Sequence, residues 1–350
     1  MLRNRAFCLA RSLILLGLLI LGTSPVRAQE TEPLPWYERT SISLLAFGDY
    51  YAVLEHHDES IEGNHGFWLR RINLTFDQKI SDRLSARLRF EAANPGDFAS
   101  GSNLEPFVKD AWVRWRRSEQ VDLTVGIAPT PSYDSVEAYW GYRSVEKTPL
   151  DLHRWLATRD FGVLLAGRMA ADSRIRYKAM VGNGSGTGTE TNSGKHGALL
   201  VGFAPSDSSV IELFGDFEDR PAESDRTTFQ AFFGLRRPGY RLGAQLGRQN
   251  RETAAGDDSF FLASAFAIWE AREKLNAILR VDRLFDPSPE GDRIPYLPFD
   301  PAASESTLLI AGLDFALHKN LGIIPNVEWV MYDGNAGDDV IPRITFYYSF

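Results

Sequence analysis

Basic side chains recur at every second position in several stretches of the chain, as in Arg87 and Arg89 or Arg114 and Arg116. Successive side chains of a β-strand point to opposite faces, so residues two apart share a face. Guanidinium and ammonium groups in such a row attract anions and donate strong hydrogen bonds to them. The spacing therefore predicts anion-binding positions along one wall of a sheet: Arg71, Arg87, Arg89, Arg114, Arg116, Arg174, Arg176 and Lys178.

Carboxylates dominate the corresponding positions in the second half of the chain. The same alternation groups Glu212, Asp216, Glu218, Asp282, Asp314 and Glu328. Strands that follow each other in sequence are usually neighbours in space, so one wall would be basic and the facing wall acidic. Charged walls set ion selectivity in water-filled pores, and this pair of walls predicts a weak-to-moderate preference for anions. The alternative is a set of solvated faces whose charges are paired.

The elements that must position these residues are β-strands. Segments of about ten residues alternate apolar and polar side chains, which is the pattern of a transmembrane β-barrel. The predicted strands are Ser41–Leu54, Gly66–Ile80, Arg83–Ala93, Phe107–Arg117, Val121–Ala128, Asp160–Ala170, Arg174–Val181, Gly197–Ala204, Val210–Asp219, Thr227–Arg236, Tyr240–Gln249, Ser259–Trp269, Leu275–Arg283, Thr307–Leu317, Leu321–Met331 and Val340–Phe350.

Short and long connections alternate between these strands. The long ones are 55–65, 94–106, 129–158, 182–196, 219–226, 250–258, 284–304 and 332–339. Outer-membrane barrels show this asymmetry, whereas a β-sandwich has no reason to sort its loops. We therefore predict an all-β fold, a transmembrane antiparallel β-barrel of about sixteen strands, give or take two, with an aqueous lumen.

The third long loop, Pro129–Thr158, is rich in aromatic and charged residues. A connection of this length in a compact domain is usually functional or disordered, and aromatic residues argue against disorder. We predict that it folds inward and narrows the lumen; the alternative is a surface loop with a short helix. The predicted constriction residues are Tyr133, Asp134, Tyr139, Trp140, Arg143, Lys147 and Arg154.

The N-terminus has the features of a secretory signal peptide. Arginines precede the apolar run Leu13–Gly22, and a small residue, Ala28, ends the segment. We predict a signal peptide at residues 1–28 and a barrel domain at residues 29–350. Removing the four arginines of residues 1–28 changes the formal net charge from −8 to −12. An acidic mature chain argues against nucleic acid as a partner.

Three other segments contain residue types that could support different chemistry. A glycine-rich stretch before Lys195 lacks the spacing of a phosphate-binding loop. Asp333, Asp338 and Asp339 lack the downstream glutamate of a calcium loop. His56, His57 and His65 are metal-ligand types, and we interpret them as residues of an acidic loop between strands and not as a metal site. No metal or cofactor is predicted. An enzyme and a non-conducting adhesive or structural barrel remain the alternative function classes.

The chain end and the middle of the chain resemble known families. The terminal PRITFYYSF resembles the last strand of bacterial outer-membrane proteins, which the barrel assembly machinery reads. Three segments, Val108–Arg117, Val121–Pro131 and Ala157–Gly167, are similar in order and spacing to the phosphate-selective porin O and P family. The matching residues are Asp110, Trp112, Gly126, Pro129, Pro131, Arg159, Asp160 and Gly162.

This resemblance implies a sixteen-stranded, homotrimeric porin in the outer membrane of a bacterial cell. Its partners would be membrane lipid, small hydrophilic solutes and anions such as phosphate. The third loop of this chain contains one lysine, Lys147, where the family has a lysine-rich phosphate cluster.

Overall fold

The computed structural model describes residues 35–98, 101–169, 173–222, 224–254, 256–334 and 337–350. The predicted signal peptide, residues 1–28, lies outside these ranges. The chain divides into two compact units, Met1–Glu38 and Arg39–Phe350, and the second contains all of the strands given below. No helix within the described ranges is long and apolar enough to cross a membrane.

Sixteen antiparallel strands close into one barrel within the described residues. Each pairs with its neighbours in sequence, and β1 pairs with β16. The strands are β1 Thr40–Ala52, β2 His65–Lys79, β3 Leu84–Ala93, β4 Glu105–Ser118, β5 Val121–Pro129, β6 Arg159–Arg168, β7 Ile175–Gly182, β8 His196–Ser206, β9 Ser209–Glu218, β10 Arg226–Arg237, β11 Tyr240–Thr253, β12 Gly256–Arg272, β13 Leu275–Leu284, β14 Ser306–His318, β15 Leu321–Tyr332 and β16 Asp339–Ser349. The predicted fold class is confirmed.

Long connections lie at one end of the barrel and short turns at the other, with one departure from prediction. The stretch 250–258 was predicted as a long loop, but β11 and β12 extend through most of it and leave residues 254–255 between them. Its residues pair as a hairpin from Asn250↔Ser259 to Thr253↔Gly256. The strand pairing of this short polar stretch was not predicted, because the stretch lacks the apolar alternation from which the strands were predicted.

The outer surface of the barrel is a belt of large apolar side chains. In β8, for example, Leu199, Val201 and Phe203 are exposed, while the alternate residues Ala198, Leu200 and Gly202 are buried. The same alternation exposes Phe161, Leu213, Phe229, Leu246, Leu279 and Ile344 on other strands. A continuous apolar surface of this kind suits lipid and would be costly in water.

Two of the long connections contribute residues to a hydrophobic core with the strands. Residues 130–158 contain α1, Asp134–Trp140, and α2, Pro149–Leu152; residues 285–305 contain a 3₁₀ turn at Gly291–Arg293. Further 3₁₀ turns occupy Trp36–Arg39 and Glu59–Ile61. The core joins the two connections to buried faces of β9, β10 and β12–β16: Val136, Trp140, Tyr142, Val145, Leu152, Ile294, Leu297, Phe299, Phe232, Phe266, Ile268, Ile278, Leu308, Ile310, Ile324, Val330 and Ile341 are among its members.

Helix α1 is short but well defined by its sequence. Asp134 and Glu137 place negative charge in its first turn, where the helix dipole favours it. Val136 and Trp140, four residues apart, form its buried side. Gly141 ends the helix at a φ of 72°, the left-handed conformation that glycine adopts without strain. The third loop thus contains the short helix that was predicted for the alternative of a surface loop.

Candidate channel wall and constriction

The connection between β5 and β6, residues 130–158, crosses the interior of the barrel. On β11, Arg241 Nη2 donates to the carbonyl of Trp140 at 2.9 Å. On β2, Arg70 Nη1 donates to the carbonyl of Val145 at 3.0 Å. Since β2 and β11 lie on opposite sides of a sixteen-strand ring, the segment spans the lumen. The third long loop therefore folds inward.

Seven of the eight predicted anion-binding residues lie on the strands β2, β3, β4 and β7: Arg71, Arg87, Arg89, Arg114, Arg116, Arg176 and Lys178. Arg174 differs from the prediction. It precedes the first residue of β7, is exposed, and donates to the carbonyl of Pro205 beside the β8–β9 turn. Strand β7 begins one residue later than the alternation predicted, so Arg174 belongs to the short turn between β6 and β7.

Carboxylates accompany the basic residues of this wall. Two further cations, Lys109 and Arg159, belong to the same wall, although neither was among the predicted anion-binding residues. The nine ion pairs are Arg71–Glu91, Arg87–Asp77, Arg89–Asp110, Lys109–Glu91, Arg114–Asp122, Arg116–Asp122, Arg159–Asp110, Arg176–Glu212 and Lys178–Asp134.

Three of these carboxylates are shared, each between two cations. Glu91 forms ion pairs with Arg71 and Lys109, Asp110 with Arg89 and Arg159, and Asp122 with Arg114 and Arg116. Nine cations thus face six carboxylates, which leaves a formal charge of +3 on this set of groups. The wall is basic, but only by this margin.

An aromatic ring supports two of the arginines. The guanidinium carbons of Arg87 and Arg114 lie 5.4 and 4.6 Å from the centre of the Trp112 ring. A guanidinium beside an indole face gains cation–π attraction, strongest where water is excluded. Trp112 therefore fixes the two charged groups relative to each other on the inner surface of β3 and β4.

The predicted constriction residues divide into two groups. Tyr133, Trp140 and Lys147 are buried, so their side chains hold the segment in place and do not offer a surface to solute. Asp134, Tyr139, Arg143 and Arg154 retain exposure. Asp134 pairs with Lys178, Arg143 with Asp151 at 2.8 Å, and Arg154 with Glu290 at 3.5 Å. The Arg236 guanidinium lies 5.2 Å from the Tyr139 ring.

Carboxylates of the later strands do not form an open acidic wall. Glu212, Asp216, Asp282, Asp314 and Glu328 are buried. Glu328 pairs with Arg343 at 2.8 Å, and Asp314 accepts from the Tyr142 hydroxyl at 3.0 Å. The inward segment, residues 130–158, and the apolar core cover this side of the barrel. The predicted pair of facing basic and acidic walls, with an electric field across a water-filled lumen, is therefore not what the structure shows.

A buried ionic network fixes the segment at the closing seam of the barrel. Glu146 lies 3.9 Å from Arg70 Nη1 and 3.8 Å from Arg343 Nη1. Arg70 Nε also contacts Asp49 Oδ2 at 2.7 Å. Ion pairs enclosed in this way are costly to break, because the group left behind stays buried and unpaired.

Arg70 was missed for a specific reason. Simple alternation assigns Arg71 to the inner face and Arg70 to the outer one. A β-bulge between Phe47 and Gly48 shifts the register opposite these residues, and both arginines turn inward. A run of two arginines in a strand that is otherwise mostly apolar was the available signal.

The second inserted segment, residues 285–305, was also missed as a functional element. Its Tyr296 hydroxyl donates to the carbonyl of Arg70 at 2.9 Å, and its backbone takes a φ of 70°. A bulky residue in the left-handed region is strained and needs support from its surroundings. Hydrogen bonds from Arg343 to the Tyr296 carbonyl and from Tyr296 N to Gly96 O supply it.

Little space remains where the two inserted segments meet β1 and β2. A cavity of about 10 Å³ there is lined by Phe47, Arg70, Arg71, Arg143, Glu146, Lys147 and Tyr296. That is room for about one water molecule. Burial lowers the pKa of the Lys147 ammonium to about 8, against the opposing attraction of Asp151 and Glu146.

Comparison with known proteins matches residues 47–207 to the family Phosphate-selective porin O and P. Similar solved structures include an anion-selective porin from Comamonas acidovorans, OmpF of Salmonella typhi in complex with daunomycin, and the trimer form of OmpT, an outer membrane protein of Vibrio cholerae. Their sequence identities are 11%, 10% and 12%, and their TM-scores 0.66, 0.66 and 0.64.

The alignments cover 89% of this chain and 100%, 97% and 99% of those chains, in the same order. At these identities the likeness is one of fold. A comparison with curated protein sequences gives no match.

Proposed function

We propose, from the premise that this chain is an outer-membrane channel resembling the phosphate-selective porins O and P, that it conducts small hydrophilic solutes with a weak preference for anions. The single observation that carries the proposal is the asymmetry of the interior. One side of the lumen is filled by a hydrophobic core, and the other carries nine cations against six carboxylates. Solute then passes along the basic wall, between β2–β7 and the inward segment.

The balance of charge supports a weak selectivity. Positive potential along a low-dielectric wall raises the local concentration of anions. A formal charge of +3 on the wall is modest, and shared carboxylates hold most arginines in ion pairs. Rapid conduction also needs sites that release the ion readily. The proposal therefore includes phosphate among the permeant anions but no strict specificity for it.

Assembly and location belong to the same proposal. Residues 1–28 would direct export as a signal peptide, and residues 29–350 would form the barrel domain in the bacterial outer membrane. The apolar belt suits contact with lipid. The barrel assembly machinery would recognise the last strand, and the porin would work as a homotrimer, as the trimer form of the similar OmpT illustrates. The family match and the fold favour a channel over an enzyme.

The reversal potential in a salt gradient tests the proposed path. We expect wild-type protein in a planar bilayer to favour anions weakly. Replacing Arg87, Arg89, Arg114 and Arg116 with alanine changes the formal charge of the wall from +3 to −1. We therefore expect the preference to change to cations, most clearly at low salt, where screening is least.

A matched variant removes the same charge elsewhere. Arg83, Arg237, Arg272 and Lys319 are exposed residues at short turns, and their replacement by alanine should leave the reversal potential near the wild-type value. Equal shifts in the two variants would show that total charge, rather than the wall, sets selectivity. A correctly folded wild type that carries no current would overturn the proposal.

A further inference from the structure

Two histidines and an aspartate meet where the first and last strands close the barrel. His56 and His57 follow the end of β1, and Asp339 is the first residue of β16. Potential metal-ligand atoms of the three side chains all lie within 4.8 Å of one another. His57 Nδ1 is 3.0 Å from Asp339 Oδ2, and His56 Nε2 is 3.9 Å from the same oxygen. Ligands around one tetrahedral metal ion are separated by roughly 3.3 Å, given bonds of about 2.0 Å.

The backbone around this cluster is held in place. Leu54 N donates to Val340 O, and Val340 N donates to Glu55 O, both at 2.9 Å. His57 N donates to Asp339 Oδ1 at 2.6 Å. Asp339 also accepts from the hydroxyl of Tyr332, so its carboxylate has a fixed direction. A site whose supporting contacts exist before the ligand arrives loses less entropy on binding.

The imidazole of His56 is the group in this cluster whose hydrogen bonding is incomplete. Its side chain is buried, and its Nε2 atom has no hydrogen-bond partner within the described part of the chain. The neutral imidazole is the form of histidine that binds metals. A buried polar atom without a partner costs free energy, which a ligand at that atom would recover.

The hydrogen bonds also define what binding requires. Asp58 N donates to His56 Nδ1 at 3.0 Å, which places the proton of the neutral ring on Nε2. A metal ion at Nε2 requires that proton to move to Nδ1, and Asp58 N must then give up its bond. Asp58 precedes the surface turn Glu59–Ile61, so this change is local.

We propose that His56, His57 and Asp339 bind a divalent transition-metal ion of the zinc, nickel or copper class. Two imidazole nitrogens and one carboxylate oxygen are ligands that these ions accept, whereas magnesium and calcium prefer oxygen alone. Three protein ligands leave a coordination position for water. A cavity of about 380 Å³ adjoins the histidines and is also lined by Asp58, Asp97 and Asp292.

The position of the site gives the ion a structural role. The ligands come from the β1–β2 connection and from β16, so a bound ion links the two strands that close the barrel. An ion that binds only the folded protein stabilises it by mass action. The inference does not depend on conduction, and its test can fail or succeed independently of the channel experiment.

Zinc binding and thermal unfolding of the folded protein in detergent test the proposal. Titration of Zn²⁺ against a competing chromophoric chelator should show one ion per chain at micromolar concentration. The unfolding temperature should rise with Zn²⁺ and not with Mg²⁺. Absence of saturable binding by the wild type would overturn the proposal.

Matched variants locate the site. His56→Phe keeps a ring of similar size but no nitrogen, and Asp339→Asn removes the carboxylate charge; both should lose the bound ion and the temperature shift. His65→Ala is the control, because His65 is an exposed histidine near the same loop whose Nδ1 faces the Tyr50 hydroxyl. It should bind as the wild type does. Unchanged stoichiometry in His56→Phe, which remains informative if Asp339→Asn does not fold, would show adventitious binding and contradict the proposal.

Discussion

His153 illustrates how a single residue couples the two inserted segments. It is buried at the end of α2, with Nδ1 3.3 Å from Ser288 Oγ and its ring 5.0 Å from that of Phe299. Burial lowers its pKa to about 4, and this effect outweighs the attraction of Asp282 and Glu146. Arg280 and Lys147 nearby oppose protonation as well.

We predict from this pKa that acid loosens the inserted segments. The released side chain has a pKa of about 6.5, so between that pH and about 4 the released state binds an additional proton. The stability that neutral, buried His153 gives to the packed inserted segments is therefore fully present above about pH 6.5. It is lost progressively as the pH falls through this interval. Single-channel recordings between pH 7 and pH 4 should show increasing current fluctuation.

Two variants separate His153 from other acid effects. His153→Asn keeps a polar group near Ser288 and should reduce the pH dependence of the fluctuation. His318→Asn alters an exposed histidine at the end of β14 and should leave it unchanged. Identical acid responses in wild type and His153→Asn would exclude the proposed role.

Period-two alternation in the sequence predicted the strands that carry the basic residues. Arg87, Arg89, Arg114 and Arg116 lie on β3 and β4, as expected. It failed at Arg70, because a bulge is not visible in the pattern of residue types. It also failed to anticipate how many arginines share a carboxylate, since such sharing depends on contacts between strands.

At the level of elements, Trp140 is an aromatic anchor of the inward segment. Trp140 is almost fully buried, packs against Phe266 of β12 with ring centres 5.4 Å apart, and donates from Nε1 to Glu146 O at 2.8 Å. Truncating a buried tryptophan to alanine typically costs about 3–5 kcal/mol. We predict that Trp140→Ala frees the segment from the wall and raises the mean conductance or its fluctuation.

Trp269 provides a control on the same strand as Phe266. It lies on the outer surface, exposed to the surroundings of the barrel. Trp269→Ala should leave single-channel conductance unchanged, although it can lower the yield of folded barrel. If Trp140→Ala folds and conducts as the wild type does, the segment does not limit the path.

Element prediction from sequence identified all sixteen strands, because short turns and alternation repeat along the chain. The connection between β13 and β14 was predicted only as a long loop, at residues 284–304. Their apolar residues Ile294, Leu297 and Phe299 are buried against strands whose inner faces are themselves apolar. In β14, for example, Leu308 faces the core while Leu309 is on the other face. Where both faces are apolar, alternation does not reveal which side is filled.

For the whole molecule, Phe350 extends the pairing between β16 and β1 that closes the barrel. Phe350 N and O form hydrogen bonds of 3.1 Å with Leu44 O and N, and its ring lies 6.1 Å from Tyr348 on the outer surface. We predict that Phe350→Asp reduces the amount of folded barrel in the membrane fraction, because it places a charge in an apolar girdle. Heat-modifiable mobility in gel electrophoresis measures the folded fraction.

Ser349→Asp is the matched control for this prediction. It adds the same charge at the neighbouring position, whose side chain points to the opposite side of the strand. We expect it to be tolerated better than Phe350→Asp. Similar losses in both variants would attribute the effect to charge near the terminus and not to the aromatic residue.

The seam between β1 and β16 also constrains the order in which the chain folds. Every other strand pair joins neighbours in sequence, whereas the seam joins residues such as Asp49 and Thr345, which are 296 positions apart along the chain. Contacts of such high contact order form late, because the loop they close is long. A chain that ends before β16 keeps fourteen native strand pairs yet exposes two unpaired edges. Strand β16 must therefore be synthesised before any copy can become a closed barrel, and copies that lack it remain substrates for proteolysis or aggregation.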